Sequence, residues 1–271
     1  MKTSSRSLKE LMSLDGRVAL ITGGAGHIGM AAGETLAELG ASVVVLDVAR
    51  GPCEQAASRL HADYGVTTVP LVVDLADEEA VRSVPGAVLE RLGRLDVLVH
   101  SAGWVGTVQS PGWAVPFDQQ TVAAWDAAMR VNLTSAFILV QEAKRALAES
   151  THGSVILIAS IYGRVGPDMR LYHGTSMANP AAYGVSKAGL LQLTRYLATV
   201  LAPQVRVNAI SPGGVWRGQP EIFHERYRQR TPLGRMATEE DLKGVVAYLA
   251  SDLSAYVTGQ ELIVDGGWTA W

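Results

Sequence analysis

Residues 18–29 are V-A-L-I-T-G-G-A-G-H-I-G, an apolar β-strand pattern that runs into a glycine-rich turn just before a helical pattern. Glycine adopts the positive φ of a tight turn and lets a ligand approach the main chain closely. The free N–H groups and the dipole at the start of a helix favour a bound phosphate. This order of strand, turn and helix therefore predicts a dinucleotide-binding turn. The residues expected to contact the dinucleotide there are Gly23, Gly26, His27, Ile28 and Gly29.

Short apolar runs alternate with longer helical patterns along the rest of the chain, as in successive βαβ units. The predicted strands are Val18–Thr22, Ser42–Asp47, Thr67–Asp74, Leu95–His100, Ser154–Ser160, Val205–Ser211 and Glu261–Val264. The predicted helices are approximately Ile28–Leu39, Cys53–Tyr64, Glu78–Leu92, Thr121–Ser150, Ala178–Leu201 and Glu239–Ala250. Strands that are mostly apolar must be covered on both faces. The pattern predicts an α/β fold with a Rossmann-type, doubly wound parallel sheet of about seven strands.

The 271 residues contain no internal repeat and no long linker, which predicts a single dinucleotide-binding domain over 1–271. Residues 1–14 precede the first strand and form an N-terminal extension. Two long irregular stretches, Trp104–Gln120 and Gly213–Arg235, directly follow strands. Loops in these positions overhang the carboxyl edge of a parallel sheet, where ligands bind.

The composition disfavours several classes of protein. The chain has 23 basic and 26 acidic residues, and a net charge of -3 lacks the basic footprint of a nucleic-acid binder. Cys53 is the one cysteine and has no ligand neighbours at zinc spacing, so we expect neither a disulfide nor a metal site. No run approaches the roughly 20 apolar residues of a membrane span, and Met1–Asp15 lacks the apolar core of a signal peptide. We therefore expect a cytoplasmic protein with a small-molecule partner and no nucleic-acid or membrane partner.

Two aspartates at strand ends bear on the identity of the dinucleotide. Asp47 ends the second strand 18 residues after the glycine turn, where a carboxylate accepts hydrogen bonds from the adenosine ribose hydroxyls. The presence of this acid favours a dinucleotide-binding turn over an ordinary glycine-rich turn. Its negative charge would also repel the 2′-phosphate of NADP. We expect NAD, with NADP as the alternative because Arg50 lies close by. Asp74, followed by Leu75, is a candidate for adenine contacts, and an N-cap for the helix near Glu78 is the equal alternative.

Further motifs follow the glycine turn in a set order. They are H-S-A-G at 100–103, V-N-L around Asn132, Y-G-V-S-K at 183–187, N-A-I-S-P-G at 208–213 and V-D-G-G at 264–267. From about Asp15 to the C-terminus the chain resembles the short-chain dehydrogenase/reductase family in its short, single-domain form. The resemblance implies an oxidoreductase that uses a nicotinamide dinucleotide. It adds the cofactor contacts Ser101, Ala102, Gly103, Tyr183, Lys187, Pro212, Gly213 and Val215.

Tyr183 and Lys187 are four residues apart in a helical pattern, so their side chains lie on one helix face. A nearby ammonium favours phenolate, which predicts a pKa of Tyr183 below the usual value of about 10. A phenol tuned in this way exchanges protons efficiently and serves as a general acid and base. The alternative is a surface pair without function.

The resemblance implies roles for three further side chains. Ser160, at a strand end, would hydrogen-bond the reacting oxygen, and Lys187 would also bind the nicotinamide ribose. Asn132 would hold a water that links Lys187 to solvent, unless it is a helix-bending amide. Ser176 is a rival for the serine role, because the family serine lies nearer the tyrosine, whereas Ser160 precedes Tyr183 by 23 residues. Ordinary turn chemistry is the other explanation for Ser160.

The chain departs from the family pattern in three places. His27 gives the turn the spacing G-x-x-G-x-x-G, which resembles the sugar-nucleotide-modifying branch, and His100 and Ser101 replace the usual paired asparagines. Residues Gly166–Pro180 form an insertion expected beside the substrate. Its polar side chains fit a polyhydroxylated or charged substrate, or else a solvated loop. The candidate substrate contacts are Trp104, Tyr162, Ser176, Met177 and Trp216.

The region Gly213–Arg235 would by resemblance be a substrate lid. Its arginines, Arg217 and Arg226 among them, fit an anionic substrate, and a charged helix face in water is the alternative. We expect reversible hydride transfer between NAD(H) and a secondary alcohol or ketone, with a sugar-like or nucleotide-linked polyol as substrate. The alternatives are a sugar-nucleotide epimerase or dehydratase that uses bound NAD, and a non-catalytic dinucleotide-sensing protein. The family also implies a homo-oligomer, either a dimer or a tetramer.

Overall fold

A computed structural model describes residues 5–104 and 110–271 of the chain. Its sheet consists of β1 (Val18–Thr22), β2 (Ser42–Asp47), β3 (Thr68–Val72), β4 (Val97–His100), β5 (Gly153–Ile158), β6 (Val205–Pro212) and β7 (Glu261–Val264). The order across the sheet is β3-β2-β1-β4-β5-β6-β7, and every neighbouring pair is parallel. The predicted Rossmann-type sheet is confirmed.

Helices cover both faces of this sheet. They are α1 (Leu8–Met12), α2 (His27–Glu38), α3 (Arg50–Tyr64), α4 (Glu78–Leu92), α5 (Val122–Met129), α6 (Ser135–Glu149), α7 (Ala181–Val200), α8 (Glu221–Arg230) and α9 (Lys243–Ala250). One buried cluster joins the sheet to α4, α6 and α7, and a second joins it to α2, α3 and α9. Alternate residues of β1 enter the two clusters, with Leu20 in the first and Ile21 in the second, as the period of a strand requires.

The order of the strands creates a crevice. The chain runs outward from β1 to β2 and β3, and then returns to the other side of β1 with β4. The connections that follow β1 and β4 therefore diverge, and a ligand crevice opens at the carboxyl ends of these two strands. The glycine turn after β1 and the loop that begins at Ser101 both lie at this point.

The helix predicted at Thr121–Ser150 is present as one helical run from Val122 to Glu149, but the sequence pattern did not predict the π-helical turn inside it. The structure has α5, then a π-helical turn at Arg130–Thr134, and then α6. The side chain of Asn132, inside the π turn, bonds to two other segments of the chain, and such bonds across the fold are invisible to helical periodicity. Single π turns in helices frequently mark functional sites.

Several predicted boundaries shift for local reasons. β3 ends at Val72 rather than Asp74, because the Asp74 carboxylate accepts a hydrogen bond of 2.8 Å from the Ala76 N–H and turns the chain. β5 ends at Ile158 because Ser160 caps a 3₁₀ turn at Ile161–Gly163. The predicted helix Glu239–Ala250 begins instead as a 3₁₀ turn, Glu239–Leu242, before α9.

The N-terminal extension and the predicted lid each contain a helix that the sequence patterns did not predict. Ser7 and Glu10 form a capping box at the start of α1. Between β6 and α9, the ten residues of α8 carry much of the predicted lid. Throughout the part of the chain that the structure describes, no helix is both long and apolar enough to cross a membrane.

Candidate active site

The glycine turn brings the chain into close backbone contact with the loop after β4. Gly23 has a φ of 63°, and a Cβ there would lie 2.8 Å from the Cα of Ala102, so only glycine fits. A Cβ at Gly29 would overlap the Gly23 carbonyl. Gly26 is the N-cap of α2 and supplies no side-chain hydrogen bond. The first N–H groups of α2 are therefore not capped by a side chain, which suits a pyrophosphate.

The end of β2 lies beside this turn. The Asp47 carboxylate accepts hydrogen bonds from the N–H groups of Ala25, at 3.1 Å, and Val48, at 2.8 Å. Arg50, the residue that favours NADP in the sequence, is directed to Glu54 at 3.2 Å and is largely exposed. The charge next to the turn is therefore that of a carboxylate.

The other predicted adenine contacts lie further along the same edge. Asp74 is exposed, and the alternative that it caps the next helix is wrong, since Asp77 is the N-cap of α4. The side chain of Leu75 is buried in the core under α4, so only its main chain is available to a ligand. His27 is the first residue of α2, and its exposed ring lies 3.4 Å from a Glu239 oxygen.

The H-S-A-G segment supports the floor of the crevice. Thr22 holds it to β1, since the N–H groups of Ser101 and Ala102 donate to the Thr22 carbonyl and hydroxyl at 3.3 and 3.2 Å. His100 is fully buried, and its Nε2 lies 2.9 Å from the hydroxyl of Ser135. That hydroxyl already donates to the Val131 carbonyl, so Nε2 is the donor in this pair. Burial lowers the pKa of His100 to about 3, and it is therefore a neutral structural residue.

Tyr183, Lys187 and Ser160 meet at the carboxyl ends of β4 and β5. Tyr183 and Lys187 share one face of α7, and the Lys187 Nζ lies 5.9 Å from the centre of the tyrosine ring. The same Nζ donates to the Ile158 carbonyl at 2.8 Å, which holds the buried ammonium in position. Ser160 lines the same cleft as Tyr183, whereas its rival Ser176 is exposed and lies outside the cleft.

A glycine that the sequence analysis did not single out allows this meeting. Gly163 ends the 3₁₀ turn after Ser160, and a Cβ there would lie 2.7 Å from the backbone carbon of Lys187. The turn and α7 can therefore approach only because this residue has no side chain. In the sequence, the glycine that directly follows Tyr162 was the signal that could have indicated this close approach.

The prediction that Lys187 lowers the pKa of Tyr183 is wrong for this arrangement. Burial raises the pKa of Tyr183, while the nearby Ser160 hydroxyl and the charge of Arg217 act in the opposite direction. Burial also lowers the pKa of Lys187, to about 8. The ammonium is adjacent to the phenol as predicted, but the loss of solvent around both groups has the larger effect.

Asn132 connects three parts of the site. Its side-chain oxygen accepts a hydrogen bond of 2.5 Å from the Trp104 N–H, and its amide nitrogen donates to the Ser186 hydroxyl on α7 at 3.0 Å. The carboxamide oxygen and the Lys187 Nζ both lie within 4 Å of the place where a Cβ of Gly103 would stand. The residue is completely buried, so the π turn holds the loop after β4 against α7.

A cleft of about 340 Å³ opens over these groups. Of the predicted site residues, it is lined by Ile28, Ser160, Tyr162, Met177, Tyr183, Pro212, Gly213 and Val215. Three predicted substrate contacts do not line it. Ser176 is exposed, Trp216 packs on the His224 ring at 4.1 Å, and Trp104 packs edge-on against Trp113, which does line the cleft.

The insertion supplies one polar wall of the cleft. The Tyr172 hydroxyl lies 3.2 Å from the Tyr162 hydroxyl and accepts a hydrogen bond of 3.1 Å from the Asn179 amide. All three side chains line the cleft. By contrast, Arg170 pairs with Asp168 at 2.7 Å outside it. The insertion is therefore built into the substrate side of the site rather than being only a solvated loop.

The lid packs against the insertion and lines the same cleft. Tyr227 of α8 accepts a hydrogen bond from the Gly214 N–H at 2.5 Å, and a Cβ at Gly214 would lie 2.8 Å from that ring. Arg226 donates to backbone carbonyls of the insertion, including that of His173 at 2.5 Å. Arg217 is the lid arginine that lines the cleft. The sequence analysis missed the roles of Thr22, Gly163, Gly214, Gln219, Met236 and Glu239.

Within residues 5–104 and 110–271, no group of three or more histidine, cysteine, aspartate or glutamate side chains is arranged to hold a metal ion. The polar groups around Tyr183 are instead hydroxyls, amides and two nitrogen cations. This set is suited to moving a proton and binding an oxygen atom of an organic ligand.

Comparison with known proteins agrees with the fold and the crevice. The family model described as enoyl-(acyl carrier protein) reductase matches residues 23–269. The chain is 36% identical to the cis-4-hydroxycyclohexanecarboxylate dehydrogenase of Sinomonas cyclohexanicum, over 94% of this chain and 97% of that protein. It is 30% identical to the D-threitol dehydrogenase of Mycolicibacterium smegmatis, over 94% of each chain.

A solved structure of similar fold supports the same family relationship. The gluconate 5-dehydrogenase of Burkholderia cenocepacia, in complex with NADP and tartrate, has a TM-score of 0.85 and 30% identity, with 98% of this chain and 100% of that chain covered. The chain belongs to the short-chain dehydrogenase/reductase family. It is an oxidoreductase of CH–OH groups that uses a nicotinamide dinucleotide.

Proposed function

We propose that the protein transfers a hydride between NAD(H) and a secondary alcohol or ketone of a small, polar molecule. The observation that carries the proposal is the meeting of Tyr183 and Ser160 in one cleft, with the Lys187 ammonium 5.9 Å from the phenol ring. A non-catalytic dinucleotide sensor would have no use for this arrangement of hydroxyls and a buried cation.

The residues at the crevice fit a bound dinucleotide. The uncapped start of α2 would receive the pyrophosphate, and the glycines after β1 leave room for it. Asp47 favours NAD, because its carboxylate would accept hydrogen bonds from ribose hydroxyls and repel a 2′-phosphate. The pairing of Arg50 with Glu54 supports the same preference.

Each side chain of the site has one part in the proposed reaction. When bound, NAD supplies the acceptor for the hydride of the alcohol carbon. Tyr183 takes the proton of the alcohol hydroxyl, and it returns that proton to the oxygen when a ketone is reduced. Ser160 hydrogen-bonds the same oxygen and stabilises the charge that develops on it. Lys187 binds the ribose, and Asn132 would hold the water that links Lys187 to solvent.

The size and lining of the cleft support a small polyol-like substrate. A cleft of about 340 Å³ suits a sugar-sized molecule better than a nucleotide-linked one. The hydroxyls of Tyr162 and Tyr172 and the amide of Asn179 would bind additional hydroxyl groups. The similar proteins are dehydrogenases of a hydroxycyclohexanecarboxylate, a tetritol and gluconate, so the epimerase alternative is not favoured.

The proposal also covers the oligomeric state and the cellular location of the enzyme. By the family resemblance, the helices at Thr121–Ser150 and Ala178–Leu201, which are α5, α6 and α7 in the structure, would form subunit contacts. Large apolar side chains are exposed on these helices and support a homo-oligomer, either a dimer or a tetramer. They are Val122, Trp125, Phe137, Val185, Tyr196 and Val200. We also propose a cytoplasmic location, with which the free, buried Cys53 is compatible. Light scattering of the purified protein tests the number of subunits.

Turnover assays test the proposed reaction. We expect reduction of NAD with at least one secondary alcohol in a panel of ketoses, alditols, cyclic polyols and hydroxy acids, and a higher kcat/KM with NAD than with NADP. A higher kcat/KM with NADP would refute the cofactor preference. Conversion of a sugar nucleotide without any net change in NADH absorbance would support the epimerase instead.

A further inference from the structure

The cleft contains one charged side chain. Among the described residues that line it, Arg217 alone carries a charge at neutral pH, and no carboxylate lines the same space. The other lining groups are apolar side chains, hydroxyls and amides. Arg217 and Tyr183 line the same cleft, and the charge of Arg217 acts to lower the pKa of Tyr183. A ligand in the cleft can therefore contact one charged side chain directly, while the buried Lys187 ammonium lies behind the cleft lining, 5.9 Å from the centre of the Tyr183 ring.

The arginine is held by its own loop. Its N–H donates to the Gln219 side-chain oxygen at 2.7 Å, and the Gln219 amide donates to the Val215 carbonyl at 2.8 Å. Its Nε donates to a Glu239 oxygen at 3.2 Å. The Nη1 and Nη2 groups have no hydrogen-bond partner within the described part of the chain, and the side chain is 37% exposed. One edge of the guanidinium is thus fixed and the remaining donors are free.

We propose that Arg217 binds a carboxylate of the substrate, so that the enzyme acts on small hydroxy acids or the corresponding oxo acids. The proposal rests on the proposed function, since it names the substrate class of the same site. The planar guanidinium matches the two oxygens of a carboxylate with parallel hydrogen bonds. Tyr183 and Ser160 would bind the reacting oxygen while Arg217 binds the acid group of the same molecule.

The number of cations in the cleft selects a carboxylate over a phosphate ester. A phosphate carries up to two negative charges and generally needs several donors or cations, whereas the two Nη groups of one guanidinium match the two oxygens of one carboxylate. The apolar side chains that line the cleft include Trp113, Met177, Phe223 and Met236. This lining fits a short chain or a small ring between the hydroxyl and the acid.

Glu239 acts as a positioning residue for this contact. Its Oε1 lies 3.2 Å from the Arg217 Nε and 3.4 Å from the His27 Nδ1, so it ties the lid to the first turn of α2. The other lid arginines are engaged elsewhere. Arg226 bonds to carbonyls of the insertion, and Arg228 pairs with Glu225 at 3.2 Å. The anionic-substrate hypothesis for the lid is thus narrowed to Arg217.

A binding experiment tests the carboxylate site without requiring turnover. Calorimetry with protein saturated by NADH would compare cyclohexanecarboxylate with cyclohexanecarboxamide, neither of which has a hydroxyl to oxidise. We expect tighter binding of the acid and a loss of about 30-fold in its affinity with Arg217→Gln. Arg217→Lys would lose less, because it keeps the charge without the planar fork. Arg228→Gln removes the same charge from the lid outside the cleft and serves as the control.

A turnover experiment separates this proposal from the proposed function. The ratio of kcat/KM for a hydroxy acid to that for its carboxamide cancels the effect of Arg217 on Tyr183, which both substrates share. We expect Arg217→Gln to lower this ratio about 30-fold and Glu239→Gln to lower it by a smaller factor. Equal ratios in wild type and Arg217→Gln, with both compounds oxidised, would overturn the carboxylate site and leave the reaction standing. A preference for phosphate esters over carboxylates would also overturn it.

Discussion

Replacement of Lys187 by methionine should stabilise the protein at neutral pH while it removes a side chain of the proposed mechanism. Burial lowers the pKa of Lys187 from 10.5 to about 8. The folded protein then binds fewer protons than the unfolded chain, so the buried ammonium costs stability below pH 8, and this cost disappears as the pH rises from about 8 to 10.5. Each tenfold change in proton affinity is worth about 1.4 kcal/mol, which gives a cost of about 3 kcal/mol at pH 7 and about 1 kcal/mol at pH 9.5.

Lys187→Met removes this cost but also removes a hydrogen bond. The Nζ donates to the Ile158 carbonyl at 2.8 Å, and the loss of that bond costs about 1 kcal/mol. The variant should therefore be more stable than wild type by about 2 kcal/mol at pH 7, and the two proteins should be nearly equal at pH 9.5.

Urea unfolding in cofactor-free buffer, followed by tryptophan fluorescence at the two pH values, measures this difference. Lys144→Met on α6 removes an exposed lysine and serves as the control, for which we expect the same difference from wild type at both pH values. A Lys187→Met protein that is less stable at pH 7, or a gap that does not close by pH 9.5, would refute the reasoning.

Three further predictions concern the cofactor, the packing and the pH profile. Asp47→Ala should raise the ratio of kcat/KM for NADP to that for NAD about 10-fold or more, and an unchanged ratio in steady-state assays would contradict this. Gly163→Ala should lower kcat strongly, because the added methyl meets the backbone of α7, whereas the matched control Gly166→Ala has open space around it. Alcohol oxidation needs deprotonated Tyr183, whose pKa is raised, so its rate should increase toward alkaline pH. Arg217→Gln should shift this rise in rate to higher pH, because it removes a charge that acts to lower the pKa of Tyr183. An unshifted pH profile would contradict this effect of Arg217.

The sheet and its crevice could be predicted from sequence because each depends on local patterns. The β-branched runs of β1 and β2 are buried along most of their length, and their ends agree with the predicted bounds. The glycines after β1 are required because their backbone lies too close to other backbone atoms, including those of the loop after β4, to leave room for a side chain. Their spacing in the sequence therefore identifies the turn. The positions of Tyr183 and Lys187 follow from one helical turn.

The parts that could not be predicted depend on contacts between distant segments. The π turn at Arg130–Thr134 places Asn132 between Trp104 and Ser186, and no periodicity reports such a bond. The pKa of Tyr183 was predicted with the wrong sign because burial outweighs the neighbouring charge, and burial belongs to the assembled cleft.

The proposed mechanism is tested most directly by Tyr183→Phe, which removes one hydroxyl and keeps the ring. We predict that kcat for alcohol oxidation falls about 100- to 10,000-fold, while NADH binding measured by fluorescence is retained. Tyr256→Phe, at a fully exposed tyrosine outside the site, should leave both unchanged. If Tyr183→Phe keeps half or more of the wild-type kcat with its alcohol substrate, the phenol is not the acid and base, and the account is wrong.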